Sequence, residues 1–460
     1  MLMSFEMLRR AVDGTLIADF SHTAGFDTVV TDSRTAVHRS LFIPLRGLQQ
    51  DGHRYIEEAL KNGAVCILAD TEYLRTKQAY IAALCKQYQA VCISVEHTLT
   101  ALQNAAAAYL EQFPNLLKIG VTGSNGKTTT KELLASIFSQ SYNTIKNEGN
   151  LNSETGLPLS VFTVRKEHEA GIFELGMNRK GEIAELAAVL KPQIAVITNI
   201  GTAHIGILGS KDAIAEEKKQ IFSCFTQESA GFVPESDEYA AFLKDVPHGK
   251  ISGYGTAAFT AEGLLGSALR YKNETITLPL PGIHNVCNAS AALAVAEYCR
   301  IPVRQIKAGI EQVQPLFGRS QIIRGSVTYV LDCYNANPDS MQAGLSLCED
   351  IPVKGRKVYI LASMRELGAE SVRAHQAVCT AAFASGADAL FFFGEEMCTA
   401  GTEQGRHSNK SFFCFQETEA DQLAEALDSF LKNGDFVFLK GSRSLALEQF
   451  EPVLQKERPL

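Results

Sequence analysis

Residues 116–138 read LLKIGVTGSNGKTTTKELLASIF. The apolar run from Leu116 to Val121 predicts a buried strand, and Leu133, Leu134, Ile137 and Phe138 recur on one face of a following helix. Between them stands Thr122-Gly123-Ser124-Asn125-Gly126-Lys127-Thr128, a turn whose backbone N–H groups, with the start of the helix, can surround phosphate oxygens. Gly123 and Gly126 let the backbone approach a ligand closely. Lys127 supplies a point charge for the terminal phosphates, the Thr128 hydroxyl suits magnesium, and Thr129 completes the candidate nucleotide contacts. The generic phosphate-loop pattern has four residues between its glycines. Here Val121 stands where the first glycine belongs and Gly120 comes one residue early. Strand, turn and helix are nevertheless all in place, so the stretch is read as a nucleotide site.

Working outward, the pattern predicts an α/β protein of three domains. Residues 1–108 alternate short apolar runs, at 41–45 and 65–69, with helical stretches, and form a small α/β domain. Residues 109–314 form a central doubly wound phosphate-loop domain, with further strands at 171–175 and 194–198 around the helical GEIAELAAVL and a β-rich extension over 225–280. Residues 315–460 form a Rossmann-like domain, with strands at 327–333, 357–362, 389–393 and 435–439, and the residues after Pro452 read as a short polar tail.

Composition narrows the classes. The 460 residues are 46% hydrophobic and 20% charged, ordinary globular values that exclude a largely disordered or fibrous chain. Lys plus Arg total 43 against 51 Asp plus Glu, a net charge of −8, so no global field draws nucleic acid or an anionic membrane. The 11 cysteines are scattered without a CxxC pair, which suits reduced thiols in a cytosol. Glu6, Arg9 and Arg10 interrupt the amino terminus, unlike a signal peptide, and no stretch reaches membrane-spanning length.

With TGSNGKTTT in place, the sequence resembles the Mur ligase family of peptidoglycan-building amide ligases, whose loop reads TGxNGKTT. The matching blocks run from about Asp32 to Glu448. Several look like those of members that add a D-alanyl-D-alanine dipeptide. The resemblance implies the following roles. NEGNLNSETGLPLS at 147–160 faces the substrate through Asn150, Asn152 and Ser153, and FELGMN places Glu174 at a magnesium ion. NIGTAHIGILGS places His204 at a second magnesium. In AEEKKQIF, Lys218 matches a lysine carried as a carbamate, an anion that binds metal, with Lys219 the adjacent alternative. Asn285, in LPGIHNVCNASAALAVA, meets the nucleotide, as do Arg319, Asp332, Asn335 and Asn337 of the third domain. Lys440 and Arg443, in LKGSRSLALE, would contact substrate. TDSRTAVHRSLFIPLRGLQQDGH would hold the uridine diphosphate sugar through Ser33, Arg34, Arg46 and Asp51. Ser363, in LASMRELG, stands where the family commonly has Asp.

The implied chemistry is ATP-dependent amide formation through an acyl phosphate, with Lys127, His204, Lys218 and Arg319 as the catalytic set and two magnesium ions. The implied partners are UDP-N-acetylmuramoyl-tripeptide and D-alanyl-D-alanine, for a monomer in the bacterial cytoplasm, with neither nucleic acid nor membrane insertion. A single-amino-acid-adding relative, a folylpolyglutamate synthetase, and a phosphate-loop switch or motor are the competing readings. The chain lacks the DNPR-type segment associated with diamino-acid addition.

Overall fold

The computed structural model describes residues 1–47 and 50–458, so Leu48 and Gln49 of the sugar-nucleotide block and Pro459 and Leu460 of the tail lie outside the described residues. Two compact units emerge, one of Met1–Gly120, Tyr142–Ala195 and Gln220–Ser229, the other of Val121–Ser141, Val196–Lys219 and Ala230–Leu460.

The first unit opens with a five-stranded sheet ordered Thr15–Asp19, Val91–Val95, Ala64–Asp70, Ser40–Phe42 and Thr28–Val30. The first pair is antiparallel and the others are parallel. Ala64–Asp70 is buried along its whole length, as its apolar run from Ala64 to Ala69 predicts for a strand covered on both faces. Helix Thr71–Tyr88 packs Leu74, Ile81, Leu84 and Cys85 into that core, a spacing that keeps one stripe facing inward.

Strands Leu117–Thr122 and Ile194–Ile197 pass from the first unit into the second. Within the first, the order is Ile194–Ile197, Leu117–Thr122, Ala170–Glu174 and Thr144–Lys146. Within the second it is Lys250–Tyr254, Ala230–Pro234, Ile194–Ile197 and Leu117–Thr122. The β-rich stretch is therefore divided in use. Its first two strands extend the central sheet in parallel, and only Ala258–Ala261, Ser267–Tyr271 and Glu274–Leu278 form a separate antiparallel sheet.

The carboxyl-terminal part of the second unit is a six-stranded sheet ordered Gln321–Ile323, Thr328–Asp332, Phe436–Lys440, Lys357–Ala362, Ala389–Phe393 and Ser411–Phe415. Successive residues go to opposite faces. Tyr359 and Leu361 enter one core, while Val358, Ile360 and Ala362 enter the other. Helices such as Pro338–Glu349 and Ala420–Phe430 cover the two faces, giving the Rossmann-like layering that the sequence predicts. The polar-tail expectation needs correction. Glu451–Leu454 is a helical turn, and Leu454 is fully buried in the second of these cores.

Asp435 ties the start of Phe436–Lys440 to its neighbours. It accepts hydrogen bonds from Arg356 Nη2 at 2.6 Å, Arg356 N at 3.1 Å and Lys432 N at 2.8 Å. Burial opposes its ionisation, but these donors outweigh it and the carboxyl is held below its usual range. A depressed folded-state value adds stability above the unfolded value near 4 and loses it as pH falls through the folded value. Asp435→Asn should therefore cost about 1.5–3 kcal/mol at neutral pH, the range for hydrogen bonds to a charged group. The gap between wild type and variant should close on acidification toward pH 3, as read by urea unfolding at a series of pH values.

Candidate active site

The phosphate loop joins strand Leu117–Thr122 to helix Lys127–Phe138. Val121 is buried in the strand, so the loop opens at Gly123, which explains why a pattern requiring a glycine two residues earlier fails by position alone. Gly123 and Gly126 have φ of +150° and +79°. A Cβ on Gly126 would stand 2.1 Å from Asn288 Oδ1, and one on Gly123 1.8 Å from Thr198 Oγ1. Both positions therefore require glycine for conformation and for space.

The loop is held from outside. Thr198 Oγ1 and Asn199 Nδ2 donate to Asn125 O at 2.5 and 3.0 Å, and Asn125 N donates to Asn199 Oδ1 at 3.0 Å. Gly201 N donates to Ser124 Oγ at 2.8 Å. Asn125 and Asn337 exchange side-chain hydrogen bonds at 3.3 and 2.7 Å. Asn337 also caps helix Pro338–Glu349 by accepting from Ser340 N. Lys127 Nζ lies over the loop, donating to the carbonyl oxygens of Gly123 at 2.9 Å and Ser124 at 3.3 Å. Thr128 is buried in the first turn of the helix.

Lys218 and Lys219 have different surroundings. Lys218 is 1% exposed and its Nζ donates to Gly123 O at 2.9 Å, whereas Lys219 Nζ lies 4.0 Å from the Phe242 ring centre. Burial, with the charge of Lys127 added, pushes the Lys218 amine well below its ordinary pKa despite the opposing pull of Glu217.

Thr129, Glu132, Leu280, Asn285 and Arg319 line one cleft of the second unit. Asn285 sits inside helix Ile283–Tyr298 rather than capping it, with Nδ2 donating to Pro281 O at 2.8 Å. The Arg319 guanidinium lies 4.1 Å from the Tyr334 ring centre, a cation–π contact that orients it. Asp332 and Lys440 are register partners at the ends of adjacent parallel strands and pair at 2.7 Å. Lys440 Nζ also donates to Asn335 O at 3.3 Å, so this buried lysine braces the nucleotide candidates. Arg443 pairs with Glu448 and lies near the Phe317 ring. Ser363 is fully buried and its Oγ accepts from Met397 N at 3.1 Å, tying it to helix Glu395–Gly405.

The first unit holds the remaining candidates. Glu174, 2% exposed, ends strand Ala170–Glu174, and Asn152 Nδ2 donates to its Oε1 at 2.7 Å. Asn147 braces the same residue by accepting from Glu174 N at 2.9 Å. Ser153 Oγ accepts from Gly156 N, whereas Asn150 is exposed. Arg46 and Asp51 are antiparallel bridge partners, and Arg46 also pairs with Asp70 at 2.7 Å. Asp51 contacts His53 Nδ1 at 2.6 Å, and Asp70 N donates to His53 Nε2 at 3.0 Å. Ser33 and Arg34 occupy a separate 3-10 turn, Ser33–Thr35, where Ser33 Oγ donates to Glu58 Oε2 and Arg34 forks onto Asp32. That fork holds the Asp32 carboxyl down to about 2. The sequence reading missed His53, which closes the quoted TDSRTAVHRSLFIPLRGLQQDGH block, and Asp70, which stands in no spacing that marks it. Asn199 and Thr198 escaped it too, though the first lies in the quoted NIGTAHIG block.

His204 heads the short helix Ile205–Leu208 in a left-handed conformation, and its Nδ1 lies 2.7 Å from Glu366 Oε2. Among the described residues, no three His, Cys, Asp or Glu side chains converge as a metal-ligand group. Of the magnesium candidates, Thr128 and His204 belong to the second unit and Glu174 to the first; a hydroxyl and a carboxylate are the kind of hard oxygen ligand this ion takes.

A loop that cradles phosphate, braced by a Rossmann-like domain, defines an ATP-dependent ligase class, and the family models place it. Residues 26–110 match the Mur ligase family catalytic domain, 121–296 the Mur ligase middle domain and 318–443 the Mur ligase glutamate ligase domain. The chain belongs to the Mur ligase family. It is 50% identical over 464 residues, covering 100% of both chains, to the UDP-N-acetylmuramoyl-tripeptide--D-alanyl-D-alanine ligase of Treponema pallidum (strain Nichols). It is similar to a crystal structure of MurF from Acinetobacter baumannii, with a TM-score of 0.87, 27% identity and 99% of each chain covered. A MurF ligase from Thermotoga maritima in complex with ADP matches with a TM-score of 0.79 and 25% identity, covering 94% of this chain and 97% of that one.

Gly126→Ala should weaken binding of a fluorescent ADP analogue at least tenfold while leaving far-ultraviolet circular dichroism unchanged, since the added methyl meets Asn288 and the left-handed turn disfavours it.

Proposed function

We propose that this chain joins the amine of D-alanyl-D-alanine to the terminal carboxylate of UDP-N-acetylmuramoyl-tripeptide with cleavage of ATP to ADP and phosphate, a step of peptidoglycan precursor synthesis. The observation that carries this is the phosphate loop, complete from Gly123 to Thr128, in a chain aligned over its whole length with a relative named as that ligase. The domains run 1–108 for the sugar nucleotide, 109–314 for ATP and 315–460 for completion of the ligase site. The protein acts as a monomer in the bacterial cytoplasm, and no helix among the described residues is long and apolar enough to cross a membrane.

A carboxylate acylates poorly because it must expel oxide. The peptide carboxylate therefore attacks the γ-phosphorus of ATP, releasing ADP and forming an acyl phosphate. The dipeptide amine then attacks the acyl carbon, a tetrahedral intermediate forms, and phosphate leaves as the amide is made. Lys127 and Arg319 offset the charge that spreads over the transferred phosphoryl oxygens, and the loop N–H groups hold the remaining phosphates. Asn285, Asp332, Asn335 and Asn337 orient the nucleoside, with Asp332 fixed by Lys440. Ser33, Arg34, Arg46 and Asp51 bind the sugar nucleotide, and Asn150, Asn152, Ser153 and Arg443 contact the peptide substrates.

Magnesium, when bound with ATP, neutralises phosphate oxygens and makes the γ-phosphorus more electrophilic; Thr128, Glu174, His204 and the carbamate of Lys218 are the groups that would hold two such ions. Lys218 serves as a carbamate. Its burial favours the neutral amine, which is the form that captures carbon dioxide. The modified side chain is an anion where the unmodified one is a cation.

Phosphate release that requires both substrates, with the pentapeptide product seen by mass spectrometry, is the expected result; substrate-independent hydrolysis without a new amide would leave only a phosphate-loop ATPase. Lys218→Ala should lower turnover on the order of a hundredfold or more, with partial recovery on adding short-chain carboxylic acids. Wild-type turnover in that variant would remove Lys218 from the site.

A further inference from the structure

His204 and Glu366 are both non-glycine residues in the left-handed region, with φ of +64° and +63°. Such conformations are strained and persist where the surroundings fix them. Here the two fix each other. His204 Nδ1 and Glu366 Oε2 are 2.7 Å apart, an ion-pair contact that is not aligned as a hydrogen bond, and that buried ring nitrogen has no hydrogen-bond partner elsewhere. One residue pair further along, Gly206 N donates to Glu366 O at 3.0 Å. A Cβ on Gly206 would stand 2.4 Å from Gly368 N, and a Cβ on Gly368 would stand 2.9 Å from Gly206 Cα. The backbones of the two loops therefore touch glycine to glycine. Two residues before His204, Thr202 N and Oγ1 donate to Asp339 Oδ2 at 2.7 and 2.8 Å. The histidine loop is thus anchored on both sides of the imidazole.

The geometry points to Glu366 as a positioning residue for His204: its carboxylate keeps the proton on Nδ1 and fixes the ring, so that Nε2 carries the lone pair. A histidine that binds a metal through one ring nitrogen commonly gives the other N–H to a carboxylate, which sets the tautomer and raises the basicity of the ligand. The same arrangement serves any role in which Nε2 acts as an electron-pair donor. The inference deepens the ligase reading, and it rests on that reading only for the consequence for turnover.

The test uses the full-length protein with 15N-labelled histidine, the His204→Asn spectrum assigning the His204 signals. In metal-free protein, wild type should show His204 as the Nδ1–H tautomer. Glu366→Ala should shift it toward Nε2–H, and Glu366→Gln, which keeps an acceptor, should retain Nδ1–H. Manganese affinity in the presence of ADP, read by electron paramagnetic resonance, should fall about 10–100-fold in Glu366→Ala and less in Glu366→Gln. In the ligase assay the alanine variant should lose kcat with KM for ATP little changed. An unchanged tautomer in Glu366→Ala, or unchanged manganese affinity, overturns the assignment. If wild type forms no amide, the ligase reading fails while the tautomer and manganese measurements still decide the role of Glu366. Should the alanine variant fail to fold, Glu366→Asn replaces it, since Asn tolerates the left-handed conformation and its shorter side chain does not reach Nδ1: an unchanged tautomer or unchanged manganese affinity overturns the role, and a shifted tautomer with reduced affinity supports it.

Discussion

The carbonyl oxygen of Asn125, fixed by Thr198 and Asn199, is the point from which the phosphate site is built. A loop that binds phosphate must aim several N–H dipoles at one place before the ligand arrives, and such dipoles repel one another. Local sequence cannot hold them. The restraint comes from the end of a neighbouring strand and from Asn337, which caps a helix with the same oxygen that reaches Asn125 Nδ2. Ligand binding then meets a loop already ordered, and less of the interaction energy is lost to ordering it.

Elements buried on both faces were plain in the sequence. Ala64–Asp70, apolar up to its closing Asp70, and Ala389–Phe393 read as apolar runs because no residue in them faces water. Edge strands were not plain. Gln321–Ile323 is three residues long and half-buried, too short to stand out, and Ser411–Phe415, apolar in four of its five residues, has no fully buried residue and lies at the sheet edge after a polar stretch. Leu454 was lost within a polar surround for the same reason. In the site, the phosphate loop was legible because its chemistry is local. The pairing of Asp332 with Lys440 follows from parallel register between strands distant in sequence, and the contacts of Asn125 follow from three separate segments. Such partners are set by topology, which a linear spacing does not encode.

Charge is placed with equal economy. Lys440 is buried beside Asp332, and Asp435 is buried beneath Arg356, each with a partner that offsets the loss of water. Lys218 follows a different rule, since burial and its cationic neighbour both favour a neutral amine. Ser363 does for helix Glu395–Gly405 with a neutral hydroxyl what a carboxylate would do only at the cost of burying a charge.

Gly206 and Gly368 have a consequence for how this sequence can vary. Their backbones share one thin layer of space, so a methyl group added at either position separates the same two loops. Tolerance for volume belongs to the pair. The second replacement therefore adds little to the loss of space caused by the first, while one at Gly368 also carries the strain of its φ of +53°, and two positions far apart in the chain are coupled in a mutational scan.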